Sequence, residues 1–388
     1  MAGLVAGAQF GTALLWILLV GALLKWALNE GLARWQLGTD TTLLEGWCRN
    51  LPWPFHAYLV PYLAVWTFVV AGGLMAACGM AARALTGVLT VPAWGLVHGV
   101  VAAALVLIGR YAIFERIMQA LIGLMVVTLV GSVVLLRPDL GTVLTGLVPR
   151  LPSGSTAAAL SLMGGVGGSV TLLAYGYWIR ERGWTGPDRV ATIRLDLGVG
   201  YAATALFGAA MLILSATVLG AETAGSLPGG SAGLVACGDA IGEAAALRLG
   251  EMWGPALRVV FLVGVWAAVS TSTLGVWQGV PYLLSDYLLT LRGSDATPSP
   301  TSPLYRRFLV ALTSLPALLL LVDRPVWVVL LYTVTGSLFM PVLAATLLGL
   351  ATRRHLGPIG NRWWHLALLW TALALFAALT LRQLSDLF

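Results

Sequence analysis

Hydrophobic positions in this chain fill long runs with few charges, separated only by short polar segments. Full runs cover 11–29, 57–80, 91–109, 114–136, 156–179, 196–219, 256–285, 306–322, 325–351 and 363–381, and a shorter stub at 2–10 precedes them. Each full run is near the ~20 residues a helix needs to cross the hydrocarbon of a bilayer. Strands of a membrane barrel would alternate apolar and polar positions over about ten residues. These runs do not alternate. The pattern predicts an all-α polytopic membrane protein of about ten full transmembrane helices plus an N-terminal stub.

Charge gives the runs an orientation. Of the 22 basic residues, one is lysine (Lys25) and the rest are arginine. If the stub ends outside, 15 of them, among them Lys25, Arg34, Arg180, Arg194 and Arg306, fall in the cytoplasmic half, against 7 in the other half. The positive-inside rule favours that topology. Residues 220–255 then form an external loop with a short amphipathic helix expected around Asp239–Glu251, and 293–304 form a flexible cytoplasmic linker.

Composition narrows the function classes. With 59% hydrophobic and 10% charged residues and a mean hydropathy of +0.90, the chain is far too apolar for a soluble enzyme, a disordered protein or a disulfide scaffold. The net charge of +6 sits at the ends of apolar runs and reads as a topology signal, not as a nucleic-acid surface. Cys48, Cys78 and Cys237 are too few and scattered for a disulfide or zinc framework, and read as free thiols. No nucleophile–base pair, phosphate loop or metal-ligand cluster stands out, so no enzyme activity and no cofactor is expected.

Function in such a chain is sought where an apolar helix turns irregular or polar. The run 163–177 (MGGVGGSVTLLAYGY) holds Gly164, Gly165, Gly167, Gly168 and Gly176. Either these glycines allow close helix packing, or they unwind the helix and free carbonyls for an ion. Hydroxyls at Ser270–Thr273 and Thr333–Ser337 are expected mostly to bond to helix backbone. His98 reads as a hydrogen-bonded interior histidine. Lys25 and Glu30 are placed toward the cytoplasmic end of the first full run, and no carboxylate falls near the middle of any run.

Several segments carry a resemblance. Ala6–Trp16 reads AGAQFGTALLW, and its helix goes on to Asn29-Glu30-Gly31-Leu32-Ala33-Arg34. Residues 144–182, 189–219 and Leu331–Pro341 (LYTVTGSLFMP) follow in the same order and spacing. Together they resemble the Nramp family of divalent metal transporters across nearly the whole chain. The resemblance implies a LeuT-like inverted-repeat bundle: a first repeat over 1–140, N-terminally truncated, a second over 155–351, and an extra helix at 363–381. The ion would sit at midplane, at the broken helix around 164–177. Carried over, its surroundings are Gln9, Val170, Thr171, Leu173, Ala174, Tyr175 and Thr333, with the helix break at Gly164, Gly165, Gly167 and Gly168.

The departures from that family are specific. Its Asp-Pro-Gly-Asn segment would precede the AGAQFG turn by about ten residues, more than this sequence holds, so the native chain is expected to begin upstream of Met1. Its Met-Pro-His motif falls on Leu173, Ala174 and Tyr175, its third-helix acidic pair on the acid-free 71–76, and its tenth-helix glutamine on Thr333. A soft ligand and the usual proton route are both altered. The leading expectation is a carrier of Mn- or Mg-type divalent cations in a bilayer, in a bacterial inner membrane, with changed selectivity. The alternatives are a LeuT-like carrier of a small organic solute or monovalent ion, and a truncated membrane protein that does not transport. The sequence fixes neither the ion, its metal ligands nor the oligomeric state.

Overall fold

The computed structural model describes residues 2–108, 111–219, 230–294, 296–322 and 325–385. Among them there is no strand. The stub is a helix, α1 (Ala2–Phe10), that ends at Gly11 with φ +58°. It lies against α10 (Val190–Val218) so closely that a Cβ on Gly7 would stand 2.3 Å from the Leu212 carbonyl oxygen. The Ser215 hydroxyl donates to the carbonyl of Leu4 across the same contact.

Next come α2 (Leu15–Thr39), the short α3 (Leu43–Asn50), α4 (Trp53–Thr86), α5 (Val91–Ile108), α6 (Tyr111–Leu136) and α7 (Leu140–Thr145). Capping chemistry sets several of these ends. The Thr42 hydroxyl accepts from the backbone N–H of Glu45 and starts α3. Pro52 and Pro54 frame the start of α4, and Gly87 at φ +72° ends it. The fifth run is split, as described below, into α8 (Thr156–Gly165) and α9 (Tyr175–Glu181). After α10 follow α11 (Gly230–Leu249), α12 (Trp253–Leu291), α13 (Pro303–Ser314), α14 (Pro325–Ser337), α15 (Phe339–Leu350), α16 (Arg353–Leu356) and α17 (Trp363–Ser385).

Among the described residues, nine helical segments are long and apolar enough to cross a membrane. Their exposure fits that environment. In α5, α6 and α17 only 22% of the most apolar window is buried, and Val100, Val127 and Trp370 point outward. A water-soluble protein would hide such faces, whereas lipid accepts them. The protein is integral to the membrane.

Three expectations need correction. The run 325–351 is not one helix, because it turns at Leu338 between α14 and α15. Pro341 has no N–H to donate to the carbonyl of Ser337, so the ladder fails there. The run 306–322 tightens into a 3-10 segment over Pro316–Leu321, again at a proline. The helix expected around Asp239–Glu251 instead starts at Gly230, and it packs through small residues rather than an apolar stripe. A Cβ on its Gly242 would stand 2.9 Å from the carbonyl oxygen of Gly254 in α12. Residues 220–229 of the same expected loop lie outside the described residues.

Close backbone approach also joins α4 to α5. A Cβ on Gly79 would stand 2.1 Å from the carbonyl oxygen of Val91, whereas one on Gly123 in α6 would meet nothing within 4 Å. Gly79→Ala is therefore expected to lower stability by about 1–3 kcal/mol through overpacking. Gly123→Ala serves as the neutral comparison in detergent melts, and equal melting temperatures for the two would contradict this packing.

Candidate functional site

The run 156–181 is a helix interrupted at its centre. α8 ends at Gly165, Val166–Ser169 leave the helix, Val170–Ala174 form a 3-10 turn, and α9 resumes at Tyr175. Gly167 and Gly168 adopt φ of +68° and +79°, a region costly for any residue with a Cβ. Space forbids a side chain as well, since a Cβ on Gly167 would stand 2.5 Å from the Tyr201 ring.

A broken helix in lipid leaves carbonyls without partners. Here a side chain of α2 answers two of them. The Lys25 ammonium, fully buried, donates to the carbonyls of Gly164 at 2.9 Å and Gly168 at 2.6 Å, one on each side of the break. The break is held on its other flank by Ser169. Its hydroxyl accepts from Trp66 Nε1 of α4 at 3.2 Å, and it abuts Gly336 of α14, where a Cβ would stand 2.7 Å from Ser169 Oγ.

Beside the break lies a cavity of ≈ 340 Å³. Gly165, Gly167, Gly168, Thr171 and Tyr175 line it from the broken helix, and Asn29 lines it from α2, one turn beyond Lys25. Asn29 donates weakly to the Tyr201 hydroxyl at 3.4 Å, while its own carbonyl oxygen is buried with no partner. Met118 and Met125 of α6, Thr204 of α10, Thr271 and Ser272 of α12, Trp178 and Tyr332 add further polar and sulfur groups. Both hydroxyls of α12 bond to the Ala268 carbonyl of their own helix. Among the described residues no carboxylate lines this cavity, and no cluster of three or more His, Cys, Asp or Glu could hold a metal.

On the far side of the break, α9 is laced to its neighbours by side chains. Tyr175 donates to Asp196 of α10 at 2.7 Å, and Tyr177 donates to Asp286 of α12 at 2.8 Å. Thr42, at the start of α3, donates to the same Asp286 oxygen at 2.7 Å. Arg180 pairs with Glu45 at 2.7 Å, and Tyr282 donates to Glu181. Just past the helix, Arg182 pairs with Asp196 at 2.8 Å and Glu115 of α6 at 2.6 Å. Burial works against the Arg182 charge, but these carboxylates outweigh it and raise its pKa above the usual arginine range. A second network joins α2 to α10 and α17. Glu30 meets Arg34 at 2.8 Å, Arg194 at 2.8 Å and His365 at 3.4 Å.

The chain matches the model of the Nramp family, natural resistance-associated macrophage protein-like, over residues 1–386. It belongs to the Nramp family. Nramp members are membrane transporters, not enzymes. Among solved structures, the chain is similar to a manganese transporter of Eremococcus coleocola bound to an aromatic bis-isothiourea compound. That likeness has 16% identity and a TM-score of 0.77, over 99% of this chain and 82% of the other. Two mutants of the same transporter, one with a histidine changed to alanine and one with a glutamate changed to glutamine, match at a TM-score of 0.71 with the same identity and coverage. At that identity the likeness carries the fold, a LeuT-like bundle. No curated protein matches the chain.

Within this Nramp fold the expected site residues separate. Gly165, Gly167, Gly168, Thr171 and Tyr175 line the cavity, and Gly164 offers its carbonyl to Lys25. Val170, Leu173 and Ala174 do not line it, because the 3-10 turn directs them into the core, and the Ala174 Cβ is pressed against Gly279 of α12. Gln9 is exposed near the end of α1 and does not line the cavity. Thr333 belongs to α14, but its side chain lies outside the described residues. His98 is structural as expected, bonded to the Trp94 carbonyl at 2.7 Å and accepting from Trp266 at 2.9 Å.

Lys25, Asn29, Met118 and Met125 were not legible as site residues. Lys25 is not near the end of its helix, because α2 runs on to Thr39 and leaves it central. The signal available in the sequence was a lone lysine placed i,i+4 from an asparagine, on one face of one helix.

Two outcomes follow from these contacts. Gly167→Ala is expected to cost about 1–2 kcal/mol from backbone strain alone, with a further penalty from the Tyr201 contact. Gly165→Ala, which meets open space, should unfold like the parent chain in the same denaturation assay. Separately, burial first and then Asp286 and Glu45 push the Cys48 thiol up to about 11. At pH 8 its alkylation in the folded protein should lag that in detergent-unfolded protein by at least about 100-fold, since the thiolate is the reacting form. Mass spectrometry of the labelled peptide reads this, and equal rates would contradict the buried, acid-flanked placement.

Proposed function

We propose that this protein carries a divalent cation of the Mn2+ or Mg2+ type through the cavity at its broken helix. The observation that carries the reading is the break itself. Gly165, Gly167 and Gly168 of the break line the cavity beside a buried, unpartnered Asn29 oxygen and Thr171, whose oxygens are hard donors suited to such ions. Mg2+ commonly keeps several waters, and ≈ 340 Å³ leaves room for a partly hydrated ion. Met118 and Met125 add soft donors that the sequence motif at 173–175 lacks, which favours transition metals over Mg2+.

The usual proton route is proposed to be absent. Tyr175 stands where the family resemblance has a histidine, and its hydroxyl is engaged with Asp196. The inverted repeats at 1–140 and 155–351 belong to the same proposal, with the site at their interface and 363–381 as an added helix. An all-helical bundle suits a bacterial inner membrane, since outer membranes are spanned by closed barrels.

A second reading has its own support. Tyr175, Trp178, Phe207 and Tyr332 give the cavity aromatic walls, and no acid lines it among the described residues. That lining suits a small organic solute. Thermal stabilisation separates the two readings, because only a bound ligand shifts the melting temperature.

In proteoliposomes loaded with a metal-quenched dye, saturable Mn2+ uptake is expected, with Mg2+ as a competitor. Thr171→Val and Thr333→Val should each raise the apparent KM for Mn2+ by about tenfold, the scale seen when a group supporting a metal is removed. Unchanged uptake in both variants, or no uptake by the parent chain together with stabilisation by amines or amino acids, would sink the metal-carrier reading.

A further inference from the structure

Lys25 is the only lysine in the chain, and its side chain ends against the most cation-seeking groups in the bundle. Its ammonium is fully buried, and among the described residues no carboxylate pairs with it. The carbonyls of Gly164 and Gly168 supply what compensation there is. A buried ammonium is costly unless polar groups are placed to receive it, and here two backbone dipoles converge on one. The neighbouring residues, Gly165, Gly167, Gly168 and Asn29, face the cavity directly, and the free Asn29 oxygen adds an acceptor that Lys25 does not use.

We propose that Lys25 is a tethered cation that occupies the carbonyl cradle of the broken helix and competes there with the transported ion. This inference rests on the cavity being a cation path, and it adds a determinant of affinity and charge selectivity. A lysine suits the role because its charge is compact and its four-carbon stem is flexible. In the resting arrangement the ammonium satisfies two carbonyls of the broken backbone, those of Gly164 and Gly168. An arriving cation takes those oxygens from an ammonium that its tether keeps close by, so the positive charge still repels it. The competition weakens binding of every cation, and it does so unequally. Coulomb repulsion from one fixed positive charge doubles in free energy from a monovalent to a divalent ion. Loss of the charge therefore multiplies divalent affinity by roughly the square of the factor for a monovalent ion. Lys25 is in this sense a filter that penalises higher charge.

The test is Mn2+ and Tl+ uptake and binding by the full chain in proteoliposomes, comparing the parent protein with Lys25→Met, Lys25→Gln and Lys25→Arg. Lys25→Met removes the charge at nearly constant length. Lys25→Gln keeps one donor for the carbonyls and stands in where the methionine variant fails to fold. Both neutral variants are expected to bind Mn2+ at least about tenfold more tightly, with a smaller gain for Tl+, near the square root of the Mn2+ factor. Lys25→Arg keeps the charge and should keep the parent affinity. A neutral variant that folds with unchanged or weaker Mn2+ affinity overturns the competition while leaving the carrier intact. An equal gain for Mn2+ and Tl+, or an equal gain in the arginine variant, also overturns it, because packing and not charge would then be responsible. Absence of saturable Mn2+ binding in all four proteins overturns the cation path and this inference together.

Discussion

A helix that stops halfway through a membrane has to find partners for the backbone groups it frees, and lipid offers none. In this protein the partner is one ammonium group. Lys25 reaches from the middle of α2 to a carbonyl on each side of the break and replaces the hydrogen bonds that water would otherwise supply. That contact fixes the register of α2 against the broken helix. With Lys25 at the carbonyls, Asn29 one turn later must face the cavity, and Glu30 must face α10 and α17, where Arg194 and His365 meet it. α2 thus presents polar groups in two directions, Lys25 and Asn29 to the break and its cavity and Glu30 to α10 and α17.

The two halves of the broken helix are held by different forces. α8 is packed against small residues, as where a Cβ on Gly21 of α2 would stand 3.6 Å from the Met163 Cα. α9 is bound by directional contacts to α10 and α12, to Glu45 of α3, and through Arg182 to Glu115 of α6. Packing resists compression but tolerates sliding, whereas charge-assisted hydrogen bonds fix orientation. The glycines at 167 and 168 therefore join a half that is packed to a half that is laced. A relative movement of the two would concentrate at that joint, where the backbone already occupies conformations open to glycine.

Most of the fold was legible because lipid imposes a coarse rule. Apolar runs of sufficient length become helices, and the ends of α4 and α12 differ from the expected spans only by turns that extend past the bilayer. The interior was less legible, for identifiable reasons. A lysine in an apolar run reads as the end of a span, because a charge at mid-bilayer is costly. Only the break in a distant segment makes that placement favourable. Gln9 looked like a ligand by its position in a motif, but it lies on an exposed position of α1 away from the cavity lining. Met118 and Met125 looked like ordinary apolar residues, since nothing local separates a methionine facing lipid from one facing a cavity. The hydroxyls at 271 and 272 follow the bland expectation and bond to their own helix while still lining the space.

The likeness to the solved manganese transporter joins 16% identity to a TM-score of 0.77, and the site explains how both hold at once. What the fold requires at the break is a backbone that can leave the helix and a neighbour that can satisfy it. Proline is one device for the first requirement. Positive-φ glycines are another, and here Gly167 and Gly168 serve although Ala174 stands where the family resemblance places a proline. The second requirement can be met by any cation that reaches the carbonyls, mobile or tethered. Other side chains at the break are under neither requirement. They are free to differ, as at Tyr175, where the family resemblance places a histidine and the hydroxyl is engaged with Asp196, without disturbing the bundle. Shared architecture and altered chemistry are therefore compatible at one place in the chain, because backbone geometry holds the break and side chains around it can vary.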